Sequence, residues 1–191
     1  LTPVPLATFE AFVPGPNEAA WAHLRAHVPP QSPEYLWGES GCGKTFLLQA
    51  LGHACQVQGL RVAHFASAGP PLGCAFDPRW AAVLLDDVHA WGPVAQQAGF
   101  ALLLEAQAHG VAWVATGRVP PVDLPLRDDL RTRLGWGRVW GLQPLAEADA
   151  RQVLRREADR RGINLTDEVL DYVLVRHARD LGFLMRWLNQ V

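Results

Sequence analysis

Apolar positions along the chain fall into two rhythms, short unbroken runs and longer stretches of helical period. Glu34 to Trp37, Arg61 to Phe65, Ala81 to Leu85 and Val111 to Ala115 are runs of strand length, and Arg138 to Leu142 predicts a fifth strand. Phe46, Leu47, Ala50, Leu51 and Ala54 recur at helical spacing until Gly59 stops them. Phe100, Leu103 and Leu104 mark an amphipathic helix over 94–109, closed by Gly110. Ahead of these, residues 1–17 read as a proline-rich extended arm, and a helix spans 18–27 before Pro29 and Pro30. The span 66–77 carries Gly69, Pro70, Pro71 and Gly73 and reads as loop.

Strands alternating with helices predict an α/β fold, a parallel sheet with helices on both faces. Beyond Pro144 the pattern is helical only, with one helix over 147–161, a second opened by Thr166 and Asp167, and a third segment from Asp180 onward. Residues 1–142 therefore read as an α/β base with its arm, and 143–191 as a small helical appendage.

Composition narrows the function. A formal net charge of −2 lacks the basic footprint that strong autonomous binding to nucleic acid requires. No apolar run is long enough to span a membrane and no signal peptide opens the chain, so a cytoplasmic protein is expected. Cys42, Cys55 and Cys74 are odd in number and scattered, which suggests neither a disulfide framework nor a zinc site. His23 and His27 have metal-ligand spacing but no third ligand nearby, and read as surface histidines. The eight tryptophans read as packing residues, since no basic stripe accompanies them.

Lys44 is the only lysine among seventeen lysines and arginines. Arginine serves wherever a solvated charge is enough, whereas a compact ammonium reaches among phosphate oxygens that a planar fork does not fit. The position of that lysine supports a chemical reason for it. It sits in Gly38-Glu39-Ser40-Gly41-Cys42-Gly43-Lys44-Thr45, between a strand and a helix, the context in which this spacing forms a phosphate loop. The backbone of such a loop turns its N–H groups inward and the helix start adds partial positive charge. Lys44 is expected to reach the outer phosphates of ATP or ADP, and the Thr45 hydroxyl to hold Mg²⁺. Asp86 and Asp87 end an apolar strand; Asp86 is assigned to the metal and Asp87 to the attacking water. Thr116, at the end of the next strand, either bonds a phosphate or the water, or is a plain strand-end threonine. Arg133 either neutralises transition-state charge on a neighbouring subunit or pairs locally with Asp128 or Asp129. Arg179 either folds back onto the nucleotide or is a solvated helix charge.

Together these residues resemble the AAA+ ATPases of the bacterial replication-initiator (DnaA) family, over essentially the whole chain, and most closely its regulatory branch. Thr8 to Asn17 is similar to the opening segment that packs near the adenine, and Gly38 to Thr45 and Val83 to Asp87 resemble the two Walker motifs. Thr116-Gly117-Arg118 falls at sensor 1, with Arg118 where an acid or polar residue is usual. Arg131 to Gly137 resembles the arginine-finger box with Arg133 as the finger, Leu142 to Leu145 the hinge into the lid, and Ala178-Arg179-Asp180 the sensor 2 position. The span 66–77 departs from the family in lacking a helix between the second and third strands.

The resemblance implies a three-layer sandwich with a five-stranded parallel sheet and a helical lid, here expected to be incomplete. It also implies weak intrinsic hydrolysis and action mainly on a partner: DnaA, with the DNA polymerase sliding clamp, and with homo-oligomers as a further possibility. Leu1 to Leu6 holds none of the glutamine- and leucine-containing sequence that binds the clamp. The ATPase core of DnaA itself and a helicase-loader-type ATPase are the alternatives.

Overall fold

The computed structural model describes residues 7–177, together with Leu184 and Leu188. Five parallel strands form one sheet: β1 (Glu34–Trp37), β2 (Arg61–Phe65), β3 (Trp80–Leu85), β4 (Ala112–Gly117) and β5 (Arg138–Gly141). Their order across the sheet is β2-β3-β4-β1-β5, so β3 and β4 insert between the first two strands of the sequence. The helices are α1 (Glu18–Ala26), α2 (Lys44–Val57), α3 (Pro93–Ala108), α4 (Asp128–Leu134), α5 (Glu147–Arg161) and α6 (Asp167–His177).

The central strands are largely apolar because both faces are covered, with Glu34 and Thr116 as buried polar exceptions. Tyr35, Val83, Leu85, Trp113 and Ala115 face Leu102 and Leu103 of α3 and Leu130 and Leu134 of α4. Leu36, Ala82, Leu84 and Val114, one position out of phase, pack against Leu24 of α1 and Leu47, Leu48 and Leu51 of α2. The result is the expected three-layer α/β sandwich. Trp113 and Trp91 are buried in the first of these layers, so the tryptophans seen there serve packing.

Most elements lie within a residue or two of the sequence expectation, and 66–79 holds no helix. The exception is α4, which sequence periodicity did not announce. It has only seven residues, opened by Asp128 and Asp129 near the helix N-terminus and closed by Arg131 and Arg133.

Past β5 the helices build a separate small core from Ala150 and Leu154 of α5, Leu170, Val173 and Leu174 of α6, and Leu184. The join is pinned by a buried asparagine. Asn17 donates through Nδ2 to Gln143 O and accepts through Oδ1 from Gln143 N–H, both at 2.8 Å. The arm runs beneath the same join, with Arg156 of α5 donating to Ala11 O at 2.5 Å. His23 is not surface-solvated: its Nε2 lies 3.0 Å from the buried Glu34 carboxylate, which also accepts from Trp140 Nε1 at 2.8 Å. Among the described residues no group of side chains could hold a metal by histidine, cysteine and carboxylate ligation alone, and no helix is long and apolar enough to cross a membrane.

Candidate functional site

The loop from Gly38 to Gly43 connects β1 to α2 and lies at the C-terminal edge of the sheet. At Gly43 the backbone sits at φ +98°, where a side chain is strained, and an added Cβ would stand 2.7 Å from Phe12 Cε2. Phe12 of the arm therefore closes directly over the loop. Helix α2 begins with no side-chain cap and no acidic residue in its first turn, leaving its N-terminal partial charge uncompensated.

Lys44 is 6% exposed. Its Nζ donates to the carbonyl oxygens of Gly38 at 2.8 Å and Glu39 at 2.7 Å, with Cys42 Sγ at 3.6 Å. These are neutral acceptors, and no carboxylate pairs with it among the described residues. A buried ammonium without a counter-ion, beside an uncapped helix start, is a donor set suited to a polyphosphate.

The acids that end β3 are held by β4. Thr116, fully buried, donates to Asp86 Oδ1 at 2.6 Å and accepts from Asp87 N–H at 2.8 Å. Thr45 Oγ1 donates to the same Asp86 oxygen at 3.1 Å. Asp86, Thr45 and Thr116 thus form one cluster between the loop helix and the strand ends. Asp87 takes φ +50°, the only positive value at a non-glycine among the described residues. Its carboxylate stays partly exposed, with Oδ1 3.8 Å from His89 Nδ1.

His89 is a site residue that sequence reading passed over. Its Nδ1 is buried without a hydrogen-bond partner. Burial holds its pKa below the usual 6.5; the charges of Asp87 and Asp86 oppose that shift, while those of Arg118 and Lys44 add to it. No local pattern marks it, because beside the adjacent Asp86 and Asp87 the charges around it come from two other segments, at Lys44 and Arg118.

Arg133 lies apart, on α4. The carboxylates that sequence offered as partners are taken by others: Arg131 pairs with Asp128 and Arg127 with Asp129, each at 2.6 Å. Arg133 instead lies over Trp136 at 4.4 Å and Phe100 at 5.4 Å and donates to Gln107 Oε1 of α3. Arg179 falls outside the described residues, so its placement is left to resemblance.

A five-stranded parallel sheet in the order β2-β3-β4-β1-β5, with a phosphate loop after β1, one strand in from the edge, and paired acids after β3, defines a P-loop domain of the AAA+ class. Two family models match the chain: the bacterial DnaA ATPase domain over residues 5–68 and the Hda lid domain over 147–191. The chain belongs to the DnaA-related family of AAA+ ATPases.

It is similar to the chromosomal replication initiator protein DnaA of Thermus thermophilus, at 30% identity over 210 residues and 95% of this chain. It spans about half of that relative's length, 48%. Domain III of the Thermotoga maritima replication initiation protein DnaA superposes with a TM-score of 0.78 at 26% identity, covering 96% of this chain and 86% of that one. AMPPCP-bound DnaA from Aquifex aeolicus shares the fold at a TM-score of 0.75 and 20% identity, covering 97% of this chain and 66% of that one.

Proposed function

We propose that this chain is an adenine-nucleotide-binding regulator of replication initiation, similar to Hda, that promotes ATP hydrolysis by DnaA. The observation that carries the reading is Arg133. It is the one arginine of the α4 segment without a carboxylate, and the two arginines before it, Arg127 and Arg131, each have one. A cation kept whole on a neutral bed is suited to meet an anion from another molecule. The match of 147–191 to the Hda lid supports the regulatory branch.

In this reading Gly38 to Gly43 and Lys44 hold the phosphates of ATP or ADP, and Thr45 and Asp86 hold Mg²⁺. The bound magnesium nucleotide supplies the phosphoryl group and a Lewis acid. The chain's own part is to orient and exclude. Thr116 fixes the Asp86 carboxylate by hydrogen bonding rather than reaching outward, and it holds the Asp87 backbone so that the Asp87 carboxylate stays free to orient water. Phe12 closes the loop from the arm side, and Arg179 is assigned to the nucleotide by resemblance alone. The base is taken as 1–142 and the lid as 143–191. The clamp and self-association are partners by resemblance, and the cytoplasm is the expected compartment.

A second reading, the ATPase core of DnaA itself, is favoured by the match of 5–68 to the DnaA ATPase domain and by the 30% identical relative. Purified DnaA loaded with labelled ATP, with clamp and DNA, separates the two. A regulator speeds the loss of ATP, and Arg133→Ala abolishes the effect. No acceleration by the unaltered chain, together with ATP turnover of its own, would favour the core.

A further inference from the structure

The surroundings of Arg133 point to a function for the aromatic residues beside it. Its guanidinium lies 4.4 Å from the Trp136 ring centroid and 5.4 Å from that of Phe100, and its NH1 donates to Gln107 Oε1. Its Nε is buried and has no hydrogen-bond partner. Trp136 is 53% exposed, a large aromatic surface left in water on a short turn after α4. We infer that Trp136 and Phe100 are positioning residues for Arg133, an aromatic clamp that fixes its guanidinium without neutralising it. The inference rests on the reading of Arg133 as the group that acts on a partner's nucleotide.

A free side chain loses rotamer freedom when it docks, and that loss weakens whatever it then does. A carboxylate would hold the fork, as Asp128 and Asp129 hold Arg131 and Arg127, but would also cancel the charge. An aromatic face attracts a cation through its quadrupole and leaves the charge whole, and a glutamine oxygen accepts one N–H without contributing a countercharge. Phe100 and Gln107 are seven residues apart on α3, on one face of that helix, so a rigid element in the wall of the main core carries two of the three contacts. Gly135, between α4 and Trp136, packs near Pro121, which limits where the turn can go.

The test uses the full chain with DnaA, clamp and DNA, and reads both the maximal stimulation and the amount of chain giving half of it. Trp136→Ala should lower the maximum roughly three- to fivefold, the loss expected from one exposed cation–aromatic contact, and leave the half-saturating amount unchanged. Trp136→Phe, which keeps an aromatic face, should restore most of it, and Phe100→Leu should lower it in the same way.

A second readout is the Arg133 Nε–H resonance. Ring currents should displace it in the unaltered chain and in Trp136→Phe, and Trp136→Ala should return it toward the position of a free arginine. Full stimulation by Trp136→Ala, with Arg133→Ala inactive, would overturn the clamp and leave the underlying reading standing. Equal losses in Trp136→Ala and Trp136→Phe would overturn it too. Undiminished stimulation by Arg133→Ala would instead remove the reading on which the clamp rests.

Discussion

The Thr116 hydroxyl donates to Asp86 Oδ1 across 2.6 Å, tying the end of β4 to the end of β3. Thr116 Oγ1 in turn accepts the Asp87 N–H, so one buried hydroxyl holds both acids of the site. Thr116→Val keeps the shape and removes both bonds, leaving a buried carboxylate oxygen one donor short and an amide with no acceptor. The expected cost is about 1–3 kcal/mol in urea unfolding, with Thr116→Ser close to the unaltered chain. A valine variant as stable as the serine one would mean that the hydroxyl holds nothing.

Gly43 and Phe12 make a second tight relation. Gly43→Ala places a methyl group against the Phe12 ring and asks alanine to adopt φ +98°, at a cost of about 1–3 kcal/mol. Because the strain falls on the phosphate loop, the variant should also lose most of its response to ADP in thermal unfolding. Pairing it with Phe12→Ala should relieve the clash but not the backbone strain, so recovery should be partial.

The pH dependence of the site should report on His89. Burial lowers its pKa, so the unfolded chain takes up a proton near 6.5 that the folded chain resists. That contribution to stability is fully present above pH 6.5 and is lost as the pH falls below it. In the nucleotide-free protein the His89 ring proton, assigned with His89→Gln, should titrate with a midpoint under 6.5. Asp87→Asn should move it lower still, because the Asp87 charge works against the shift. A midpoint above 6.5 would show that the Asp87 carboxylate outweighs burial.

The parts of the site legible in the sequence were those whose chemistry is local. The glycine spacing, Lys44 and Thr45 lie within eight consecutive residues, and the backbone they need follows from that spacing. The apolar runs likewise gave five strands and a parallel sheet. Strand order was not legible, because insertion of β3 and β4 between β2 and β1 depends on packing between segments far apart in sequence.

The surroundings of Arg133 were missed for the same reason. Asp128 and Asp129 are the nearest acids in sequence, yet Arg131 and Arg127 reach them first, and of the true neighbours only Trp136 is local, while Phe100 and Gln107 come from another helix. Helix α4 escaped notice because seven residues after a proline-rich stretch are too few to show a period.

The most direct test of the account is thermal unfolding with and without Mg-ADP, in the unaltered chain and in Lys44→Ala. Ligand at about one hundred times its dissociation constant adds roughly 2.7 kcal/mol to a folded state that binds it, or about 5–10 °C for a domain of this size. The unaltered chain should show that rise and Lys44→Ala should show almost none. An equal rise in both proteins, or none in the unaltered chain, would contradict the claim that this loop and its single ammonium hold a nucleotide.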